Sequence, residues 1–97
     1  RVLKAREIQL KRFHGQSIYS NGAMTAPMVR QYCRLDAAGQ KLLKAAFERL
    51  GLSARGHDRI LKVARTIADL ADSEHIQTNH LAEAIQYRAL DKEMWRQ

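Results

Sequence analysis

One segment, residues 52–70, constrains the fold of this chain more than any other. Near its start lies Ser53, a preferred N-cap residue whose hydroxyl can accept a hydrogen bond from a free N–H of the first helical turn. Behind this cap, apolar residues recur at helical spacing, at Ile60, Leu61, Ala64, Ile67, Ala68 and Ala71. The pattern predicts a helix from Ser53 to about Asp72, with its apolar stripe in the core.

Comparable patterns predict the remaining helices. The predicted main helices are Val2–Phe13, Ala37–Leu50 and Asn79–Leu90, and a short one is Met28–Cys33. Asp36 and Thr78 are the expected N-caps of the later two main helices. Gly51 should end the helix before it, since glycine adopts the left-handed conformation without strain. The predicted fold class is all-α, a small bundle of four main helices plus a short one.

The expected core joins the apolar stripes of these helices. Its predicted centre is Phe47, Leu50, Ile60, Leu61, Ala64, Ile67, Leu81 and Ile85. In the first helix, Leu3, Leu10 and Phe13 can share one narrow apolar face. Residues 14–27 form a loop in which Asn21-Gly22 is a strong turn signal. Its apolar side chains, Ile18, Tyr19 and Met24, are expected to fold back onto the core.

Size and charge limit what the chain can do. Its 97 residues suit one helical domain spanning residues 1–97. The net charge of +7 favours nucleic acid, nucleotide or an acidic protein surface as partner, with a solvated basic surface as the alternative. A single cysteine, Cys33, favours a cytoplasmic location, and no apolar run is long enough for a bilayer. Because the chain opens with Arg1 inside an apparent helix, we interpret it as a piece of a larger protein.

The sequence contains no recognisable catalytic or metal motif. There is no GxxxxGK phosphate loop, so any ATPase core must lie outside this chain. The four histidines show no HExxH spacing and no cluster with Cys33, so no metal site is predicted. Ser53 has His57 and Asp58 nearby in sequence, but on one helix and with the serine already used as a cap, a catalytic triad is not expected.

Arg55 is the strongest candidate for a functional side chain. It lies on the first turn of the predicted helix, where the helix dipole makes a cation unfavourable and an acidic residue would be better. A residue that breaks a local rule is a candidate for function. A guanidinium beside a helix N-terminus suits phosphate oxygens, which its planar fork can bind in pairs. The alternative interpretation is a plain surface arginine.

Other charged residues on the same helix have simpler explanations. Arg59 and Lys62 follow Arg55 at i+4 and i+7, so the three residues form a basic line along the helix. The simpler interpretation of Arg59 and Lys62 is that they are surface residues in contact with solvent. Arg65 and Asp69 are spaced for an i, i+4 ion pair worth roughly 0.2–0.5 kcal/mol.

Several of these residues together resemble a known family. They are Ser53-Ala54-Arg55, the run Arg59 to Leu70 containing Ala64-Arg65-Thr66-Ile67-Ala68-Asp69-Leu70, the stretch His80 to Arg88, and earlier Arg12-Phe13 and Asn21. The combination resembles the C-terminal domain of bacterial magnesium-chelatase-like AAA+ proteins, and within them the competence protein ComM group. The resemblance covers nearly the whole chain.

The resemblance implies that the chain is the C-terminal fragment of a larger AAA+ ATPase. It would be the helical lid that packs on a separate core, which holds ATP and Mg²⁺, while the lid alone would bind no cofactor. Arg55 matches the arginine that senses nucleotide in this family, with Ser53 and Arg59 as possible supporting anion contacts. The resemblance further implies a homo-hexameric motor that processes DNA by branch migration, without membrane contact.

A second function class remains open from the residues alone. Two predicted helices, Ala37–Leu50 and the one after Ser53, are joined by a tight turn at Gly51. A helix–turn–helix has such a turn before its recognition helix. An autonomous basic helical module that binds DNA is therefore the alternative, and tight, salt-dependent binding of duplex DNA would distinguish it.

Overall fold

Five α-helices and one 3₁₀ turn make up the part of the chain that the computed structural model describes. These residues are 2–16, 18 and 20–96, with backbone alone from residue 90 onward. The helices are α1 (Val2–Arg12), α2 (Ala26–Tyr32), α3 (Ala37–Leu50), α4 (Ala54–Leu70) and α5 (Thr78–Arg96), and the 3₁₀ turn is Asn21–Ala23. No strand occurs among the described residues. The predicted all-α bundle of four main helices and a short one is confirmed.

The helix caps follow the local chemistry of the sequence. The Asp36 carboxylate accepts a hydrogen bond from the Gly39 N–H at 2.7 Å, and the Ser53 hydroxyl accepts one from the Gly56 N–H at 3.2 Å. Gly51 has φ +62°, the left-handed conformation expected of a residue that ends a helix. Both ends of α3 are therefore where the sequence predicts them. Helix α4 ends at Leu70, two residues before the predicted end.

The ends of α5 differ from the prediction. Thr78 is the first residue of the helix rather than its cap, and the Gln77 N–H donates to Nδ1 of His80 at 3.0 Å. His80 is buried and closes the helix start. The helix also continues past Leu90 to Arg96, because residues 91–96 contain no glycine or proline to stop it.

Helix α4 is the centre of the packing. It contacts α1, the 3₁₀ turn, α2 and α5. Its predicted core residues Ile60, Leu61 and Ala64 are buried, and so are Leu81 and Ile85 of α5. The same core takes in apolar side chains that the helical stripes did not indicate, namely Met24, Val29, Cys33, Leu52 and Ile76. Met24 thus folds back as expected and Ile18 packs against the core, while Tyr19 lies outside the described residues.

Some predicted core residues lie elsewhere. Phe47 is 40% exposed, because α3 buries the face that carries Gly39, Leu43 and Ala46 instead. Phe47 packs edge-on against the His57 ring, with 6.2 Å between ring centroids. Leu50 and Ile67 are only partly buried. The core therefore meets α3 along a stripe rotated away from Phe47.

The first helix also faces differently from the expectation. Leu3 and Leu10 are 75% and 55% exposed, so the narrow apolar face that they can share with Phe13 does not pack on the core as a unit. Instead, α1 buries Ala5 and directs Arg12 toward α4, while Phe13, just past its end, is buried against Tyr32. A polar contact, not the apolar stripe, sets the orientation of α1. Among the described helices, none combines the length and the apolar character that a bilayer span needs.

Replacing Ile60 should cost far more stability than replacing Phe47. Ile60 is 1% exposed, so Ile60→Ala should lower the free energy of unfolding by about 2–5 kcal/mol. The half-exposed Phe47→Ala should cost only about 1 kcal/mol. Urea denaturation of the two variants and the parent chain measures both. A Phe47→Ala loss as large as that of Ile60→Ala would contradict the observed packing of α3.

Candidate functional site

The first turn of α4 holds Arg55 at the surface. The helix begins at Ala54, and the Ser53 cap bonds to the Gly56 N–H, so Arg55 lies inside the capped turn. Its side chain is exposed, and no acidic residue in the described part of the chain forms an ion pair with it. The helix N-terminus beside it carries partial positive charge and free N–H groups. This arrangement can attract an anion that the chain itself does not provide.

Two further arginines lie close to this turn. Arg59, one turn later, is exposed and lines a cavity of about 300 Å³ between α4 and α5. Arg88 of α5 lines the same cavity, and its Nη2 is 3.7 Å from the position that a Cβ on Gly56 would occupy. The other lining residues are Ile60 and Ala84, which are buried, and Val63 and Tyr87, which are exposed. The structure thus brings Arg55, Arg59 and Ser53 to one end of α4, and it adds Arg88, which the sequence patterns did not single out.

A larger cavity of about 660 Å³ lies between α3 and α4. Leu43, Phe47 and Leu61 make it mainly apolar, and Cys33 lies at its edge. Burial raises the pKa of the Cys33 thiol to about 11, because the thiolate would lose its hydration there. Cys33 is therefore a protonated core residue at neutral pH and not a reactive nucleophile.

A buried polar cluster joins α1, the 3₁₀ turn and α4. The Asp69 side chain is 0% exposed and accepts hydrogen bonds from Arg12 Nη2 to Oδ1 at 2.7 Å and from Arg12 Nη1 to Oδ2 at 2.9 Å. Asn21 Nδ2 donates to Oδ2 at 2.9 Å, and Arg65 Nε donates to Oδ1 at 3.2 Å. We call Arg12, Asn21, Arg65 and Asp69 the Asp69 cluster. All its members are buried or nearly so.

Further bonds fix each member of the Asp69 cluster. The Asn21 side chain accepts from Arg12 Nη1 at 2.8 Å and donates to Thr66 Oγ1 at 3.1 Å, while its backbone N–H donates to Oε1 of Gln9 at 3.1 Å. Arg65 donates to the carbonyl oxygens of Ser73 at 2.7 Å and Glu74 at 2.9 Å. The cluster therefore holds both the loop before α2 and the turn after α4.

Electrostatics explain why the Asp69 carboxylate stays ionised. Burial alone would raise the pKa of Asp69, but the hydrogen bonds from Arg12 and Asn21 and the charges of Arg65 and Arg12 outweigh it, so this pKa lies below its ordinary value. Burial lowers the pKa of Arg65, and the adjacent Asp69 carboxylate opposes that shift. A guanidinium remains protonated at neutral pH in either case.

The sequence predicted the Arg65–Asp69 pair but not its importance. As an i, i+4 pair it was expected to contribute a few tenths of a kcal/mol, whereas both side chains are at most 5% exposed. One signal was available: counting from Leu61, positions 64, 65, 68 and 69 follow the spacing of a buried helix face. The partners Arg12 and Asn21 could not be found this way, because nothing local points to them.

The described residues offer no metal site. They contain no group of three or more histidine, cysteine, aspartate or glutamate side chains close enough to hold a metal ion. The His57 ring packs edge-on against Phe47, its Nδ1 lies 3.7 Å from Oδ1 of Asp58, and His80 caps α5. Ser53 is used as a helix cap. Ser53 and His57, which a catalytic triad with Asp58 would need, therefore have other contacts.

Comparison with known proteins gives a consistent result. Residues 1–88 match the family described as magnesium chelatase, subunit ChlI C-terminal. The Escherichia coli protein YifB is 44% identical over 92 residues, which are 95% of this chain and 17% of that protein. The competence protein ComM of Haemophilus influenzae is 43% identical over 90 residues, 93% of this chain and 17% of its own length. A Mycobacterium bovis protein is 34% identical over 88 residues, 91% of this chain and 18% of that protein. The chain thus spans about a sixth of these relatives.

Replacing Asp69 should destabilise the chain in a pH-dependent way. Asp69→Asn leaves two buried arginines without their carboxylate, and we expect a loss of about 3–5 kcal/mol at pH 7 in urea denaturation. Because the folded pKa of Asp69 lies below its unfolded value, the stability that the carboxylate provides is fully present above the ordinary aspartate pKa. It is lost as the pH falls through the lower, folded pKa.

The difference between the parent and Asp69→Asn should therefore shrink in acid. Asp58→Asn is the matched control, since the Asp58 side chain is 39% exposed and should change stability by no more than about 0.5 kcal/mol. A stability difference for Asp69→Asn that stays constant from neutral pH to pH 2 would contradict the ionised, buried carboxylate.

Proposed function

The chain belongs to the family of the C-terminal domain of magnesium chelatase subunit ChlI, and on that premise we propose that it is the helical lid of an AAA+ ATPase. In this proposal Arg55 senses nucleotide that is bound to a separate core of the same polypeptide. Ser53 and Arg59 support the contact to the anion. The full-length protein is a cytoplasmic homo-hexamer that processes DNA, and one relative carries the name competence protein ComM.

One observation carries this proposal: Arg55 is an exposed cation on the capped first turn of the most firmly packed helix. An arginine side chain loses conformational entropy when a ligand orders it. On a capped, anchored helix the backbone from which it extends is already fixed, so less entropy is lost on binding. Its planar guanidinium fits a pair of phosphate oxygens, and Arg59 lies one turn behind it. The N-terminal end of α4 is therefore suited to contact a phosphate group that is held by a separate core.

The residues present fit an outer contact to ATP and not a complete binding site. ATP with Mg²⁺ would supply the γ-phosphate and its developing negative charge. Arg55 would donate to oxygens of that phosphate, and the backbone fixed by the Ser53 cap would hold the arginine in place. The chain lacks a phosphate loop, so binding of the nucleotide itself falls to the core.

The alternative of an autonomous DNA-binding module is less well supported. Helices α3 and α4 are joined by a tight turn at Gly51, as in a helix–turn–helix. A recognition helix, however, must offer one side to the major groove. Helix α4 contacts α1, α2, α5 and the 3₁₀ turn and buries seven of its 17 residues, so a groove could meet only the side that carries Arg55, Arg59 and Val63.

Loss of Arg55 should abolish most ATP turnover without affecting the fold. In the full-length protein, Arg55→Ala should lower the rate of ATP hydrolysis on the order of 10³-fold or more if Arg55 stabilises the charge of the transition state, as an arginine finger does. The free energy of unfolding of the 97-residue chain should change by no more than about 0.5 kcal/mol, because the side chain is exposed. Steady-state ATPase assays and urea denaturation measure the two quantities.

Arg49→Ala is a matched control, since Arg49 is also exposed but lies at the end of α3. It should leave turnover unchanged, and Arg55→Lys should recover only part of it because a lysine cannot bind two oxygens in a fork. Hydrolysis at the parent rate by the Arg55→Ala protein would refute the sensing role.

The 97-residue chain by itself should neither hydrolyse ATP nor bind it tightly. Its sequence has no phosphate loop, and the described residues hold no group of acidic side chains that could bind Mg²⁺. Isothermal titration with ATP and Mg²⁺ and a phosphate-release assay test this. Micromolar affinity of the isolated chain for ATP would contradict the proposal that the core, and not the lid, binds the nucleotide.

A further inference from the structure

A second group of cationic side chains lies toward the other end of α4. Arg65 is ten residues beyond Arg55, about 15 Å along the helix axis. Beside it, a cavity of about 450 Å³ is lined by Arg12, Arg65, Arg34, His75 and Tyr32. An adjoining cavity of about 400 Å³ shares Arg34, His75 and Ile76 with the first. We call the two cavities together the distal groove.

The floor of the distal groove has an excess of positive charge. In the Asp69 cluster two guanidinium groups face a single carboxylate, so one positive charge has no acidic partner within the cluster. Both arginine side chains are at most 12% exposed, and water therefore screens them weakly. The carbonyl oxygens of Ser73 and Glu74 bond to Arg65, but they contribute dipoles and not a full negative charge.

The walls of the groove carry charges of both signs. Arg34 and His75 are exposed and lie where the two cavities meet. The Tyr32 hydroxyl accepts a hydrogen bond from Gln16 Nε2 at 3.2 Å, which leaves its own proton to donate. Glu74 and Asp36 are the acidic lining residues, and the Asp36 carboxylate keeps its negative charge although one of its oxygens caps α3. Both carboxylates oppose the cations, so the site depends on the donors of Arg34 and Tyr32 and not on the net charge of the groove.

We propose that the distal groove binds a phosphate group, with Arg34 as the principal ligand and the Arg12–Arg65 pair as the source of the field beneath it. A compact anion with several acceptor oxygens matches a forked guanidinium on the wall. A buried positive charge that lacks an acidic partner is stabilised by an anion held nearby. The phosphate can come from inorganic phosphate or from the backbone of a nucleic acid. The site is separate from Arg55 and does not depend on its role.

Thermal denaturation of the 97-residue chain tests the proposal. At equal ionic strength, inorganic phosphate should raise Tm above its value in chloride by on the order of 5 °C at about ten times Kd, because a ligand bound to the folded state stabilises it. Phosphate also stabilises proteins generally, as an excluded salt. Arg34→Gln measures that general effect, and it should remove most of the increase.

Two variants sharpen the result. Glu74→Gln removes one of the two opposing carboxylates and should tighten phosphate binding several-fold. Arg49→Gln removes an exposed arginine at the end of α3, away from both the groove and Arg55, and should keep the full phosphate effect. If phosphate raises Tm equally in the parent and in Arg34→Gln, and if the two proteins also bind DNA equally well, this groove has no phosphate site.

A second titration identifies the source of the phosphate. If it is a nucleic acid backbone, Arg34→Gln should weaken the binding of a 12-base-pair duplex and reduce the salt dependence by about one counterion. If it is free phosphate, the Tm effect should require Arg34 while duplex affinity does not change. If Arg34→Gln keeps both the phosphate-dependent increase in Tm and the full duplex affinity, the proposal is wrong. The ATPase result for Arg55→Ala is independent, so either proposal can fail alone.

Discussion

The Asp69 carboxylate is the one charge on which the packing of α1, the Asn21 turn and α4 depends. It is fully buried and receives hydrogen bonds from three side chains, two of them cationic. An ion taken out of water is tolerated only where such bonds replace its hydration. These partners come from three separate segments, so satisfying one carboxylate fixes how the segments meet. The orientation of α4, and with it the position of Arg55, follows from this contact together with the apolar core.

Both proposed anion contacts use the rigidity of this one helix. Arg55 extends from the capped start of α4, and Arg65 lies in its second half with its guanidinium held by the Asp69 cluster and by two carbonyl oxygens. The two arginines have opposite characters, since one is exposed and the other is buried. An exposed arginine can reach a ligand directly, whereas a buried one acts through its field. The same residue type thus serves two purposes on one helix.

Local chemistry made much of the fold predictable, and long-range contacts account for the rest. The N-caps at Asp36 and Ser53 and the stop at Gly51 depend on neighbours within a few residues, and these predictions were correct. The face of α3 that carries Phe47 was wrong, because an apolar stripe does not show how a helix is rotated against its partners. The position of Arg55 on the first turn followed from the sequence. The buried state of Asp69 depends on Arg12, 57 residues away, and no local pattern could reveal it.

The long separation between Arg12 and Asp69 has a consequence for folding kinetics. Their contact closes a loop that includes α2, α3 and most of α4, so the chain must lose considerable entropy before the bond can form. Loop closure of this kind is one reason why chains that depend on contacts between distant residues fold more slowly than chains held by local contacts. The Asp69 cluster therefore makes the rate at which this chain folds, as well as the stability of the folded chain, depend on the meeting of α1 with α4.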